Sequence, residues 1–483
     1  MAATDDDGLT PVRVHRGGGR IEAYAGAARR PSPVTANASA RERSSPTWSG
    51  PAADGRTMAA AVGAPPGAAP ATPARVRGPA IGLIVFCGAV LALMSMGTRN
   101  VLPLWQPSML QDLGWTSFQF SVALAAQNLL WGGFSPFFGA LADKFGSWRV
   151  LLFGAAMQIC GLWVMSMASE PEVFFLSAGV MLGMAQAAGG MGIVLGAVGR
   201  AVGERRRTMA FGLITSASSA GMIVVTPIGR ALLESMSWSE AFVGLSIVCL
   251  PMLLLAVFVR SRQEPGDPST ADIARLTLGQ ALGEAARHRG YVLLVVGFFV
   301  CGFHVTFIGV HLPQFLTSIG LGWQVGANAL MIVGVFNVAA CLAVGVVATT
   351  LSKKGVLAVI YLARAALFLA FISFPVTEWS VYLFAAALGV LWLSTVPPTQ
   401  GIVAQVFGPQ YMTMLFGIVF FGHQIGSFLG VVLGAKVFDL YGSYDLVWYA
   451  CIALGLIATA LHVLIDERPV ARLRPRAAAA AAE

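Results

Sequence analysis

The sequence predicts an all-α membrane protein of twelve transmembrane helices in two six-helix bundles. Three observations carry this prediction. The 483 residues are 56% apolar and 11% charged, with a mean hydropathy of +0.73; a soluble domain has roughly 25% charged residues. Apolar runs of about 20 residues, the length that crosses a ~30 Å hydrocarbon core as a helix, recur between short polar breaks. The longest break, 260–290, divides these runs six and six. Several soluble domains, which the length alone would allow, need far more charge to cover their surfaces. The net charge of +8 and pI near 9.4 do not make a nucleic-acid binder. The basic residues sit in a tail and in short loops, not on one folded face.

The elements follow in order. Residues 1–78 are rich in Ala, Pro, Gly and Arg and have few long apolar side chains. Such a stretch cannot bury enough surface to offset its ordering entropy, and it reads as a disordered cytosolic tail. It has no apolar h-region, so no signal peptide is expected. Met58 is a candidate start, which would leave residues 1–57 untranslated. The N-terminal bundle is expected over 79–259, with spans at 79–106, 117–138, 149–168, 172–198, 208–233 and 239–259. Residues 260–290 read as a cytosolic linker, amphipathic over "ADIARLTLGQALGEAARHRG". The C-terminal bundle is expected over 291–465, with spans at 291–315, 324–350, 356–375, 379–405, 411–435 and 445–465. Residues 466–483 form a second cytosolic tail. Lys and Arg set the orientation. With both termini cytosolic, only Arg230 and Lys436 fall on the opposite face. Six cysteines lie in apolar runs without CxxC spacing and read as small buried hydrophobes.

Between spans 2 and 3 lies "GALADKFGSWRV", Gly139 to Val150. Gly139 and Gly146 permit a tight turn and close helix approach. Asp143 can cap span 3, or pair with Arg149 or a neighbouring helix. This segment resembles the loop signature of the major facilitator superfamily through Gly139, Leu141, Ala142, Asp143, Lys144, Gly146 and Arg149. The equivalent loop of the second half keeps only "SKKG", Ser352 to Gly355, as an old duplication would leave it. The resemblance implies alternating access, with two bundles rocking about a midplane site. Gly139, Asp143, Lys144, Gly146 and Arg149 would then act as a conformational latch. Within the superfamily the chain is similar to the bacterial monocarboxylate and oxalate/formate porters. The likeness rests on "DLGWTSFQFSVALAAQNLLWGGFSPFFGALADKFG", "RRRTMAFGLITSASSAGMIVVTPIG", "GFFVCGFHVTFIGVHLPQFL" and "GHQIGSFLG".

Ionisable groups inside a span are costly and are functional candidates. Those well inside spans are Arg99, His304, Arg364 and His423, and no Asp or Glu lies deep in any span. The interior field should be positive or neutral, which suits an anionic substrate. It disfavours export of cationic drugs, which calls for an embedded carboxylate. Arg99 in span 1 can fork onto a carboxylate with two hydrogen bonds; the alternative is an arginine snorkelling to the headgroups. The resemblance adds a basic residue at this point of span 1. Arg364 in span 9 could contact substrate, but by the resemblance spans 3, 6, 9 and 12 lie outside the pore. His304 and His423 can donate to a carboxylate or carry a proton; the bland alternative is a helix–helix hydrogen bond. Gln186, Asn337 and Gln400 complete the candidate substrate-binding set, with Gln127, Asn128 and Thr399 as further midspan polar residues.

Two departures bear on mechanism. Animal monocarboxylate porters carry an Asp and an Arg four apart in span 8, where this chain has Asn337 and Cys341. Oxalate-type porters have basic residues in spans 8 and 11; only His423 stands in for either here. A monoanion is therefore favoured over a dianion. Gly422, Gly426, Gly430 and Gly434 make a smooth stripe on span 11. Pro397 and Pro398 should break span 10, making 395–400 a gate or site candidate.

These readings predict a secondary transporter of a small organic anion in the bacterial inner membrane, coupled to protons by default. It is expected to be monomeric, in contact with lipid, without nucleic acid, metal or other cofactor. No enzymatic motif is present: there is no P-loop, HExxH pair or CxxCH. The rivals are a drug or amphiphile exporter of the same superfamily and a non-transporting receptor.

Overall fold

The computed structural model describes residues 80–115, 117–260 and 276–473. The expected tail over 1–78, residues 261–275 of the linker and residues 474–483 lie outside them. Twelve long helices run through the described chain. They are α1 (Ile81–Leu113), α2 (Ser117–Phe145), α3 (Ser147–Met165), α4 (Pro171–Ala201), α5 (Glu204–Ser235) and α6 (Trp238–Phe258), then α7 (Arg289–Ser318), α8 (Trp323–Val347), α9 (Lys353–Ser373), α10 (Glu378–Phe407), α11 (Met412–Tyr441) and α12 (Asp445–Val463). Eleven of them are long and apolar enough to cross a membrane. The remaining helix, α2, is as long as the others, but Gln127, Asn128, Ser121 and Ser135 dilute its apolar content. Large apolar side chains such as Phe86, Trp163, Leu254, Val359 and Leu383 stand on the exposed outer face. Alone in water they would be a liability; against lipid they are matched.

Several helices are broken where the sequence offers a reason. α4 winds into a π-helical turn over Phe175–Met181 and breaks at Gly190. α10 stops at Leu391 and restarts at Val396. Pro397 and Pro398 sit in the first turn of the restarted helix, where the missing N–H groups are not needed. The break therefore falls just before the proline pair. In the linker, Leu278–Arg287 forms a short helix, started by a reciprocal Thr277–Gln280 cap and resting on Ala281 and Ala285. Five of the six cysteines are buried as expected; Cys160 on α3 is exposed.

Glycines set the closest helix contacts. α7 lies on the glycine stripe of α11: a Cβ on Gly426 would sit 2.0 Å from the Phe299 carbonyl oxygen, and one on Gly302 would sit 1.8 Å from that of His423. Two seams join the halves, α2 against α11 and α5 against α8. They repeat one another. The stretches "GRAVGERRRTMAFG" (199–212) and "AQVFGPQYMTMLFG" (404–417) correspond, with Thr208 matching Thr413 and Gly212 matching Gly417. A Cβ on Gly417 would meet Pro136 Cα at 2.8 Å, and one on Gly212 would meet the Cys341 carbonyl oxygen at 2.6 Å. Either seam tolerates only hydrogen at these positions.

At the end of the molecule carrying Asp143, the chain beyond α12 folds back over α9 and α10. Glu467 accepts from Ser352 Oγ at 2.8 Å and from the Lys354 amide at 2.7 Å. Val470 donates to the Val406 carbonyl, and Arg472 bridges Glu284 of the linker helix to the Phe407 carbonyl. Gly302→Val should force α7 off α11. Overpacking in a filled core costs about 1–3 kcal/mol. A lower melting temperature in detergent, with less monodisperse protein, is the expected result; an unchanged melting temperature would refute this contact.

Candidate functional site

Alternation of the helices places the Asp143 end of α2 beside the start of α11. Asp143 and Arg200 pair there, with side chains 0% and 4% exposed. Arg200 also donates to Ser147 Oγ at 2.6 Å and Thr413 Oγ1 at 2.8 Å. The other Asp143 oxygen accepts from the Met414 amide at 2.9 Å, at the N-terminus of α11. An anion is favoured at that helix end. A Cβ on Gly139 would lie 2.9 Å from the Met414 backbone, so only glycine lets α2 reach this point. Gly146, with φ of +94°, makes the turn into α3. Of the five expected latch residues, Lys144 and Arg149 are exposed and take no part in the buried cluster. Arg149 donates to the Phe145 carbonyl and lies over Trp148. Asp143 pairs with Arg200 of α4 in its own bundle, not with Arg149, and its other oxygen reaches across the seam to Met414. Arg200 and Thr413 were not singled out from the sequence; the internal repeat is the signal that marks Thr413.

Above this cluster the seam is packed. Trp131, Ser135, Gln186, Met191, Phe416 and Phe420 leave a gap of only about 20 Å³. The larger cavity lies beyond it, in the half away from Asp143, between α1, α2, α7 and α11. It measures about 380 Å³ and is lined by Arg99, Asn100, Gln127, Asn128, Thr306, Gln424 and Ser427, with Leu124, Val310, Phe428 and Val432 among the apolar wall. No acidic residue lines it. Arg99 donates through Nη2 to Asn128 Oδ1 at 2.6 Å, and its guanidinium lies 5.3 Å from the Trp131 ring centre. Arg99 Nε and Gln127 Nε2 are buried without a hydrogen-bond partner.

The other candidate residues fall in different places. His423 lies behind the cavity wall: its Nδ1 is 3.1 Å from Oε1 of Gln424 and 3.4 Å from Oγ of Ser427, both of which line the cavity, and its ring stacks on Phe420. Gln424 Nε2 donates across the seam to the Asn128 carbonyl at 3.0 Å. Gln186 is tied to Ser95 of α1 by two hydrogen bonds and borders the narrow gap. His304 meets the Cys451 carbonyl of α12 at 2.9 Å, edge-on to Phe368, away from the cavity. Asn337 holds Ser219 of α5 and the Leu393 amide at the α10 break. Arg364 donates to the Leu391 and Trp392 carbonyls that the break frees, and to Cys301 Sγ. Gln400 is fully buried and neither of its amide atoms has a partner. The structure thus places Arg99 in the cavity, sets His423 behind it against Gln424 and Ser427 of its wall, and sets His304, Asn337 and Arg364 among helix contacts. Gln424, Ser427 and Trp131, which complete the site, carry no charge that would single them out in a sequence.

A family model described as the Major Facilitator Superfamily matches residues 85–431. The chain belongs to that superfamily. It is 23% identical to an uncharacterised transporter of that type from Bacillus subtilis, over 70% of this chain and 84% of that one. It is 24% identical to monocarboxylate transporter 1 of Mus musculus, over 72% and 75%. A shorter match, 28% identical over 29% of this chain and 35% of the other, is to the multidrug resistance protein MdtH of Klebsiella pneumoniae. The crystal structure of a fucose:proton symporter from E. coli superimposes with a TM-score of 0.62 at 16% identity, covering 80% of this chain and 99% of that one. These relations establish a multi-pass transporter fold of twelve helices in two bundles. Asp143→Asn keeps the side-chain shape but leaves Arg200 unpaired. Breaking a buried pair from one side costs up to about 3–5 kcal/mol. A cysteine introduced at Gly192, beside the narrow gap, should then react faster with a thiol reagent; equal rates in both backgrounds would show that the pair does not hold this end shut.

Proposed function

We propose that this chain is a secondary transporter of a small organic anion, foremost a monocarboxylate, working by alternating access with proton symport. The supporting observation is the cavity's charge inventory: one arginine with an unpartnered Nε, a neighbouring unpartnered Gln127 amide, and no acid. A carboxylate would take both donors. Its two oxygens match the guanidinium fork, and a charge-assisted pair in a low-dielectric cavity is stronger than in water. The relation to monocarboxylate transporters agrees with this reading. In the cycle proposed here, the Asp143–Arg200 cluster seals the cytosolic end while the anion enters from the other side. Its rupture then lets the bundles rock. The Lys and Arg distribution supports cytosolic termini. The proposal further takes an inner membrane as the site, residues 79–259 and 291–465 as the two moving bodies on either side of the 260–290 linker, and a monomer as the working unit.

A second reading, export of amphiphiles, draws on the apolar cavity wall and the partial match to a multidrug resistance protein. The readings differ at Arg99. In proteoliposomes given radiolabelled monocarboxylates with and without a pH gradient, Arg99→Ala should raise the half-saturating concentration by about 10- to 100-fold, the equivalent of a ~1.5–3 kcal/mol charged hydrogen bond. Arg99→Lys should recover part of it. Wild-type uptake by Arg99→Ala would end the anchor role, and drug resistance that survives the substitution would favour the exporter.

A further inference from the structure

We propose that His423 is the residue that carries the coupled proton, and that the Asn128–Gln424 bridge across the seam selects which ring nitrogen receives it. This inference rests on the anion reading above. The bridge fixes the hydrogen-bond directions. The Asn128 backbone carbonyl can only accept, so Gln424 must turn its NH₂ toward it, at 3.0 Å. Gln424 Oε1 is thereby turned toward His423 Nδ1, at 3.1 Å. That oxygen can only accept, so Nδ1 carries the hydrogen of the neutral ring. Nε2 is left as the free base. Addition of a proton forms one N–H bond there and gives an imidazolium; its loss on the other side of the membrane restores the ring.

The surroundings tie this proton to the anion. Facing His423 is the Cys301 thiol of α7, which also meets Thr395 Oγ1 of α10 and Arg364 of α9; Arg99 of α1 is linked to it through Asn128 and Gln424. From α2 the facing groups at this level are neutral, and no acidic residue is among the cavity lining. A proton on His423 therefore adds a positive charge behind a cavity wall that already carries Arg99 and holds no carboxylate, in a medium where such repulsion is weakly screened. A carboxylate in the Arg99 fork supplies the missing charge. Anion and proton then favour each other's binding, and by linkage the effect is reciprocal. Separation of α2 from α11 breaks the Asn128–Gln424 bridge and frees the tautomer, which links proton release to the rocking motion. His304 lacks this arrangement, being held by the α12 backbone.

The test uses the full chain in proteoliposomes, with L-lactate and pyruvate as probes. Two quantities are measured: accumulation under an inward proton gradient, and lactate–lactate exchange without one. One proton per anion gives about tenfold accumulation for each unit of pH difference. The ratio of accumulation to exchange should collapse in His423→Gln, and its pH profile should flatten. Gln424→Leu, which removes the bridge but leaves the ring, should shift that profile. His423→Gln with the wild-type ratio and profile overturns the inference alone, as does an unshifted profile in Gln424→Leu. Absence of exchange of either probe by the wild-type chain overturns the anion reading and this inference with it.

Discussion

A positive charge held inside a low-dielectric wall must be answered, and Arg99 is answered only in part. Asn128 takes one of its nitrogens and the Trp131 face lies against it, but Nε points at no protein atom that could accept from it. Arg364 shows what full satisfaction looks like in the same molecule. It is fully buried where Arg99 is half-buried, yet two backbone carbonyls freed by the α10 break accept from it. The difference separates an arginine that staples a broken helix from one that faces a cavity. The proposed substrate chemistry depends on that difference.

The second constraint is the buried ion pair between Asp143 and Arg200. It is useful to a transporter because it is conditional. Its hydrogen bonds to Thr413 and Met414 reach across the α2–α11 seam, so they exist only when that end is closed. Among the described residues, the corresponding seam between α5 and α8 has no such pair. Ser352 of "SKKG" stands where Asp143 would repeat, and Gln405 takes the place of Arg200. Lys353 donates to Gln405, while Glu467 from beyond α12 supplies the nearby carboxylate. The two halves therefore close by unequal means: one by a buried pair, the other by glycine contacts and a chain segment folded over the outside.

The cavity and the latch are linked by aromatic packing. Trp131 touches Arg99 on one side and Phe420 on the other, and Phe420 stacks on His423. The same rings close the gap that leads toward Asp143. A change in the occupancy of Arg99 thus bears on side chains that also form the barrier.

Much of this was legible in the sequence. The length and spacing of apolar runs determine the helix count, since no other element satisfies the backbone in lipid. The glycine stripe on α11 and the Pro397–Pro398 pair mark a close contact and a helix break, because hydrogen-sized side chains and missing N–H groups leave no alternative. The absence of acidic residues from deep inside the spans is a statement about charge that needs no coordinates. What the tertiary structure decided is which polar residues meet. Arg99, Arg364, His304 and His423 look alike on a line of text, as buried cations or bases at similar depth. Only the folding of α9 against the α10 break, and of α7 against α12, withdraws Arg364 and His304 into helix contacts. Neutral Asn128 and Gln424, almost 300 positions apart, become the bridge between the two halves because α2 and α11 cross there. That proximity has no signature in composition or periodicity.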